Sequence, residues 1–210
     1  MKVLKRFGKG TVGIVVINVV IYLLINFIPG LAENLLLSTD LKVIIQKPWT
    51  LMTVFFSHEI HIHILLNMLI FLIFGSELEK ITNKRTIFTV YSLAGLSGSF
   101  VIVPISNLIG NTTLIAGASA SVFGIVAACA VLRPDQLILR SKARWWVISL
   151  ILLNVVTIFI GSQTSDSSAA HLVGILVGLA IGYLLKKNDQ SKNHVAKVPI
   201  QGINITSKSL

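Results

Sequence analysis

Six apolar runs, separated by short polar or basic stretches, set the plan of this chain. Residues 11–28 carry no charge. The run is longer than the ~7–15 residues of a signal-peptide core, and no A-x-A cleavage site follows it. It predicts a first membrane-spanning helix, ended by Pro29-Gly30. Asn18, Tyr22 and Asn26 recur every fourth residue, so they share one face and are expected to point into a bundle. Residues 31–57 are too apolar for a solvated loop, yet Glu33, Asp40, Lys42, Lys47 and Pro48 break them up. Short amphipathic pieces lying at the membrane interface are expected there. Further spans are predicted over 60–78, 86–109, 115–132, 147–160 and 169–185. The fifth is the short one, with Trp145-Trp146 as interfacial anchors before it, and it is a plausible lateral gate. A polar turn at 161–168 places Asp166 in an outer loop. The resulting plan is a basic N-terminus over 1–10, a six-span domain over 11–187 and a polar tail over 188–210, expected to be disordered. The fold class is all-α, a polytopic membrane bundle.

Composition agrees with this plan. The chain is 54% hydrophobic and 12% charged, with mean hydropathy +0.84, whereas a soluble domain carries about 25% charged residues. The net charge of +10 would suggest a nucleic-acid partner in a soluble protein. Here its distribution reports topology instead. In a six-span chain every Lys and Arg except Lys42 and Lys47 falls on the side that holds the N-terminus, the second and fourth loops and the tail. The positive-inside rule then puts both termini in the cytoplasm, with the protein in the cell membrane and no nucleic acid as partner. The single cysteine, Cys129, excludes an intrachain disulfide.

Within this apolar chain a few polar side chains stand out. Ser119 lies among small residues in the stretch 117–124, at the start of an apolar helical run. A serine hydroxyl is a weak nucleophile unless a base takes its proton and donors hold the oxyanion. His171 offers the base, because an ionisable residue inside a span is costly and points to function. Gly174 and Gly178 follow it on the same helix side and permit close packing on Gly124, Ala127 and Ala128 of the fourth span. His63 and Asn67 are one turn apart on one face and suit oxyanion donors, together with the Ser119 amide. Each residue also has a plainer role: Ser119 as a small packing residue, His171 as a core histidine, Asn67 as interhelical glue. Ser121 is a rival nucleophile, but it is ~200° round the helix from Ser119, so only one can face a site. A zinc reading of His58-Glu59-Ile60-His61 fails on spacing, since the second histidine comes one residue too early for His-Glu-x-x-His. No metal and no cofactor are expected.

Taken together these residues resemble the rhomboid intramembrane serine proteases. The likeness covers about 48–178. It includes Trp49, His58, His63-x-x-x-Asn67, Phe74-Gly75 with Glu79, Gly117-x-Ser119, and Ala170-His171-x-x-Gly174-x-x-x-Gly178. The resemblance implies a six-helix bundle and a Ser119–His171 dyad with no third acidic member. It also implies an oxyanion hole from His63, Asn67 and the Ser119 amide, with Phe123 as the ring that stacks on the histidine. The implied partners are transmembrane protein substrates and the lipid bilayer; oligomeric state is left open. One position departs: the family usually has Gly after the nucleophile, and here it is Ala120. A positive φ there would strain an alanine by ~1–2 kcal/mol; ordinary helical φ/ψ would not. Ala120 is thus the one support for an alternative, an inactive rhomboid-like protein that binds transmembrane helices. A small transporter would instead show carboxylates inside spans and internal repeats, and the chain has neither.

Overall fold

The computed structural model describes residues 7–161 and 165–195. Six long helices form one bundle: α1 Lys9–Phe27, α2 His61–Ile81, α3 Lys84–Leu108, α4 Ser119–Leu132, α5 Ala143–Ile160 and α6 Ser165–Val195. Five of them are long and apolar enough to cross a membrane, and α4 is the shorter sixth. The protein is a multi-pass membrane protein of all-α architecture. At 14 residues, α4 is ~21 Å long, against a hydrocarbon core of ~30 Å. If its C-terminal end sits at one boundary, its first residue therefore lies well below the other.

The short span is thus the fourth and not the fifth. Residues 115–118, read from sequence as helix, lie before it: Leu114–Ile115 (β2) pairs antiparallel with Leu37–Ser38 (β1), and Gly117 and Ala118 turn the chain into α4. The fifth helix instead begins early, at Ala143. Trp146 belongs to it, packs its ring edge-on against Phe74 and donates its indole N–H to the Ile138 carbonyl. The last helix likewise runs past the expected end at 185, to Val195. The rest of the tail, 196–210, lies outside the described residues.

Small residues decide which helices touch most closely. On α6, Gly174, Gly178 and Gly182 lie against Ala120, Gly124 and Ala128 of α4, and a Cβ on Gly178 would strike the Gly124 carbonyl oxygen. The i, i+4 spacing on both helices builds one straight seam. Its first α4 member is Ala120, in place of the expected Ala127. Across the bundle, Asn18 of α1 donates to the Tyr91 hydroxyl of α3 at 3.0 Å. Tyr91 donates in turn to the Phe55 carbonyl at 2.6 Å. Of the polar stripe expected on α1, Asn18 is buried and Tyr22 meets His61 of α2. Asn26 is exposed and bonds its own helix at the Tyr22 carbonyl.

Residues 31–57 form a chain of short helices, Ala32–Leu35, Leu41–Gln46 and Thr50–Thr53, closed by a 3-10 turn at Val54–Phe56. This connection braces the approach to α4. The Thr39 amide donates to the Thr113 carbonyl, and the Gly117 amide to the Val54 carbonyl at 3.2 Å. Asp166, expected in an outer loop, lies in the first turn of α6 and is buried. There it accepts from Ser106 at 2.7 Å and Asn111 at 3.0 Å. A carboxylate in an apolar bundle is tolerated only with such donors, and these pin α6 to the end of α3.

Candidate active site

The site is built where α4 begins. Gly117 has φ +142°, a conformation open to glycine and costly to other residues. A Cβ there would also fall 3.0 Å from His63 Nε2. Gly117 therefore turns the chain into α4 and lets the His63 imidazole lie against the backbone. The next amide, Ala118, donates to His58 Nε2 at 3.4 Å, and helix α4 starts at Ser119. Residues at a helix start have amides with no intrahelical acceptor, so the Ser119 N–H has no partner within α4.

Ser119 Oγ and His171 Nε2 are 2.6 Å apart. Ser119 is half-buried, whereas Ser121 is fully buried on the other side of α4, against Gly95, with no hydrogen-bond partner among the described residues. Only Ser119 faces the histidine. Phe123, one turn along, meets the His171 ring edge-on at 4.8 Å and 61°, so it flanks the imidazole without stacking face to face. His171 reaches Ser119 because Gly174, one turn on, lets the α6 backbone rest on the Ala120 carbonyl.

A cavity of about 400 Å³ opens at the pair. Ser119, His171, His63 and Ala120 line it, with apolar walls that include Phe55 and Ile102. It shares His63, Ile115, Ala116 and Ser167 with a wider depression bounded by the ends of α3 and α5. The cavity at the hydroxyl is thus continuous in its lining with that depression.

The two expected oxyanion donors separate. His63 lines the cavity. Asn67 is buried next to it, gives one side-chain N–H to the His63 carbonyl at 3.0 Å within α2, and is not among the residues that line the cavity. The three histidines of 58–63 also part company. His61 pairs with Tyr22, while His58 is buried edge-on to His63 at 5.3 Å. Burial, and next the nearby His63, push the His58 pKa down to about 3. His58 is thus a neutral acceptor that steadies the Ala118 amide beside the nucleophile.

One residue at the site was not singled out from the sequence. Asn154 of α5 accepts from His171 Nδ1 at 2.8 Å and is buried. The signal was available: an asparagine in the middle of an apolar span, the same feature that marks Asn18 and Asn67. The resemblance implies a pair with no third acidic member, and Asn154 is a third partner that is not acidic.

Fold and site define a polytopic membrane protein with a serine–histidine pair recessed among its helices. The Rhomboid domain matches residues 46–188, and the chain belongs to the rhomboid family. It is similar to RHOMBOID-like protein 6, mitochondrial, of Arabidopsis thaliana, 28% identical over 73% of this chain and 50% of that one. It is also similar to RHOMBOID-like protein 2, 28% identical over 67% of this chain and 43% of the other. With RHOMBOID-like protein 7 it shares 27% identity over 73% of this chain and 49% of the relative, both again from Arabidopsis thaliana. The chain thus spans about half the length, or less, of these curated relatives.

Proposed function

We propose that this rhomboid-family protein is an intramembrane serine endopeptidase that cleaves transmembrane or membrane-adjacent segments. The observation that carries the reading is the 2.6 Å approach of Ser119 Oγ to His171 Nε2 at the mouth of a cavity. In this reading His171 Nε2 takes the hydroxyl proton as Ser119 Oγ bonds to the scissile carbonyl carbon. The tetrahedral intermediate collapses as His171 returns the proton to the departing amine, which leaves an ester on Ser119. Water, deprotonated by the same nitrogen, then hydrolyses the ester. The Ser119 amide, at the positive end of α4, and His63 are the proposed donors to the oxyanion, with the second N–H of Asn67 able to join them. Side chains and water supply every proton transfer in this scheme.

A helical substrate has its backbone hydrogen bonds closed on itself, so the scissile bond must unwind before it can enter. Segments with Gly, Ala or Pro near the cut are the expected substrates. The one-sided placement of Lys and Arg supports cytoplasmic termini, a cell-membrane location and cleavage near the outer face. The test is incubation of the purified protein, in detergent and in liposomes, with a tagged generic transmembrane segment, beside Ser119→Ala. Cleavage by the wild type alone is the expected result. Binding of the segment with no cleavage, and no labelling by a fluorophosphonate, would replace the protease by the helix-binding reading.

A further inference from the structure

The amide of Asn154 is oriented by what lies at each end. At one end Nδ2 is 2.8 Å from the Leu150 carbonyl. A carbonyl can only accept, so that end must be the NH₂. The other end is therefore the oxygen, which can only accept, and it lies 2.8 Å from His171 Nδ1. Nδ1 must then carry the proton. A neutral imidazole has one protonated nitrogen, so Nε2 is left with its lone pair facing Ser119 at 2.6 Å. The backbone of α5 thus dictates, through one amide, which nitrogen of His171 acts as base.

We propose that Asn154 is a positioning residue that fixes the tautomer and orientation of His171, so that the site is a Ser119–His171–Asn154 relay rather than a free pair. An asparagine plays this part in the Cys-His-Asn proteases. The inference deepens the endopeptidase reading and rests on it for its kinetic part only. Its placement favours a dedicated role. Ala143, Val147 and Asn154 are the only buried residues of α5, and Asn154 is the only polar one. A buried asparagine on so lightly packed a helix adds little to packing that an apolar residue would not supply. Asn154 also ties the base to that helix. An outward movement of α5 would withdraw the acceptor from Nδ1, and returning α5 would restore it.

Two measurements test the proposal. The first needs no activity. In protein with ¹⁵N-labelled histidine, the His171 signals, assigned by their loss in His171→Gln, should show Nδ1 protonated in the wild type. In Asn154→Leu they should move toward the Nε2-protonated form. The second is the rate of fluorophosphonate labelling at Ser119 and of substrate cleavage. Asn154→Leu should lower turnover by about 10- to 100-fold, less than the ~10⁴ for losing the tautomer-fixing aspartate of a serine-protease triad, with KM changed less than threefold. Asn154→Asp keeps an acceptor. It should recover most of the rate and move the acidic limb of the pH–rate profile upward, because a carboxylate favours the imidazolium. An Nε2-protonated His171 in the wild type would overturn the proposal. So would Asn154→Leu with unchanged tautomer and labelling rate. A wild type that neither cleaves nor labels, yet shows the Asn154-dependent tautomer, would remove the protease reading and leave the positioning role standing.

Discussion

The methyl of Ala120 faces Gly98 of α3 so closely that a Cβ on Gly98 would lie 2.8 Å from it. Ala120 is within helix α4 and is not among the positive-φ residues. The residue that departs from the family pattern is therefore unstrained, and the room for its extra methyl comes from a glycine opposite. Ala120→Gly should change cleavage only a fewfold and lower thermal stability slightly, since glycine costs a helix ~1 kcal/mol relative to alanine. Ala120→Val, with two more methyls and β-branching, should be far worse. Gly98→Ala should be damaging alone and largely rescued by Ala120→Gly, with a coupling of ~0.5–3 kcal/mol for such a contact pair. Melting curves of the four combinations check this; strictly additive effects would show that the two residues do not share the space.

On the proposed reading, loss of either member of the pair should abolish cleavage. Ser119→Ala and His171→Ala are expected to abolish cleavage and fluorophosphonate labelling. Ser121→Ala should keep most of both, because that hydroxyl is buried behind α4. Peptide mapping of the labelled protein decides: label on Ser121 would refute the assignment of the nucleophile.

His63 and Asn67 should not be equivalent. His63 lines the cavity and its removal should cost ~10²–10³ in turnover, the range for one oxyanion donor. Asn67 donates to the His63 carbonyl, so Asn67→Ala should cost less and act through the placement of His63. The double mutant should then resemble His63→Ala. Equal and fully additive losses in kcat would instead mean two independent donors.

Acid should loosen the fold through His58. Its pKa is lowered from 6.5 to about 3 in the folded protein, so as pH falls the unfolded chain takes up the proton first. The stabilisation is complete above about pH 6.5 and is lost progressively toward pH 3. The melting temperature in detergent should therefore fall between pH 7 and pH 4.5, and His58→Gln should flatten part of that slope. Identical slopes in the two proteins would clear His58 of the effect.

The parts of the site that were legible in sequence are those where a polar group interrupts an apolar span for a chemical reason. Ser119, His171 and His63 are of that kind, and the glycine seam followed from spacing. Asn154 carries the same mark but has no motif around it. Helix ends were less legible, because apolarity reports burial or lipid and not conformation. Residues 115–118 are apolar and still not helical, with Ile115 held by β1 and Gly117 by the Val54 carbonyl. Trp146 anchors a core contact where an interfacial role was expected. Asp166 is buried because Ser106 and Asn111, some 60 and 55 residues away, supply its donors, and no local pattern can show partners at that distance.

Glu79 near the end of α2 accepts from the Gly10 and Thr11 amides and from the Thr11 hydroxyl at 2.8–2.9 Å. It thereby satisfies the free N–H groups at the start of α1. This clasp has an order in time. Its two halves are 68 residues apart, so the start of α1 is synthesised before the carboxylate that closes it. Until Glu79 follows, the Gly10 and Thr11 amides have no acceptor from their own helix. The making of α2 is then the event that completes α1.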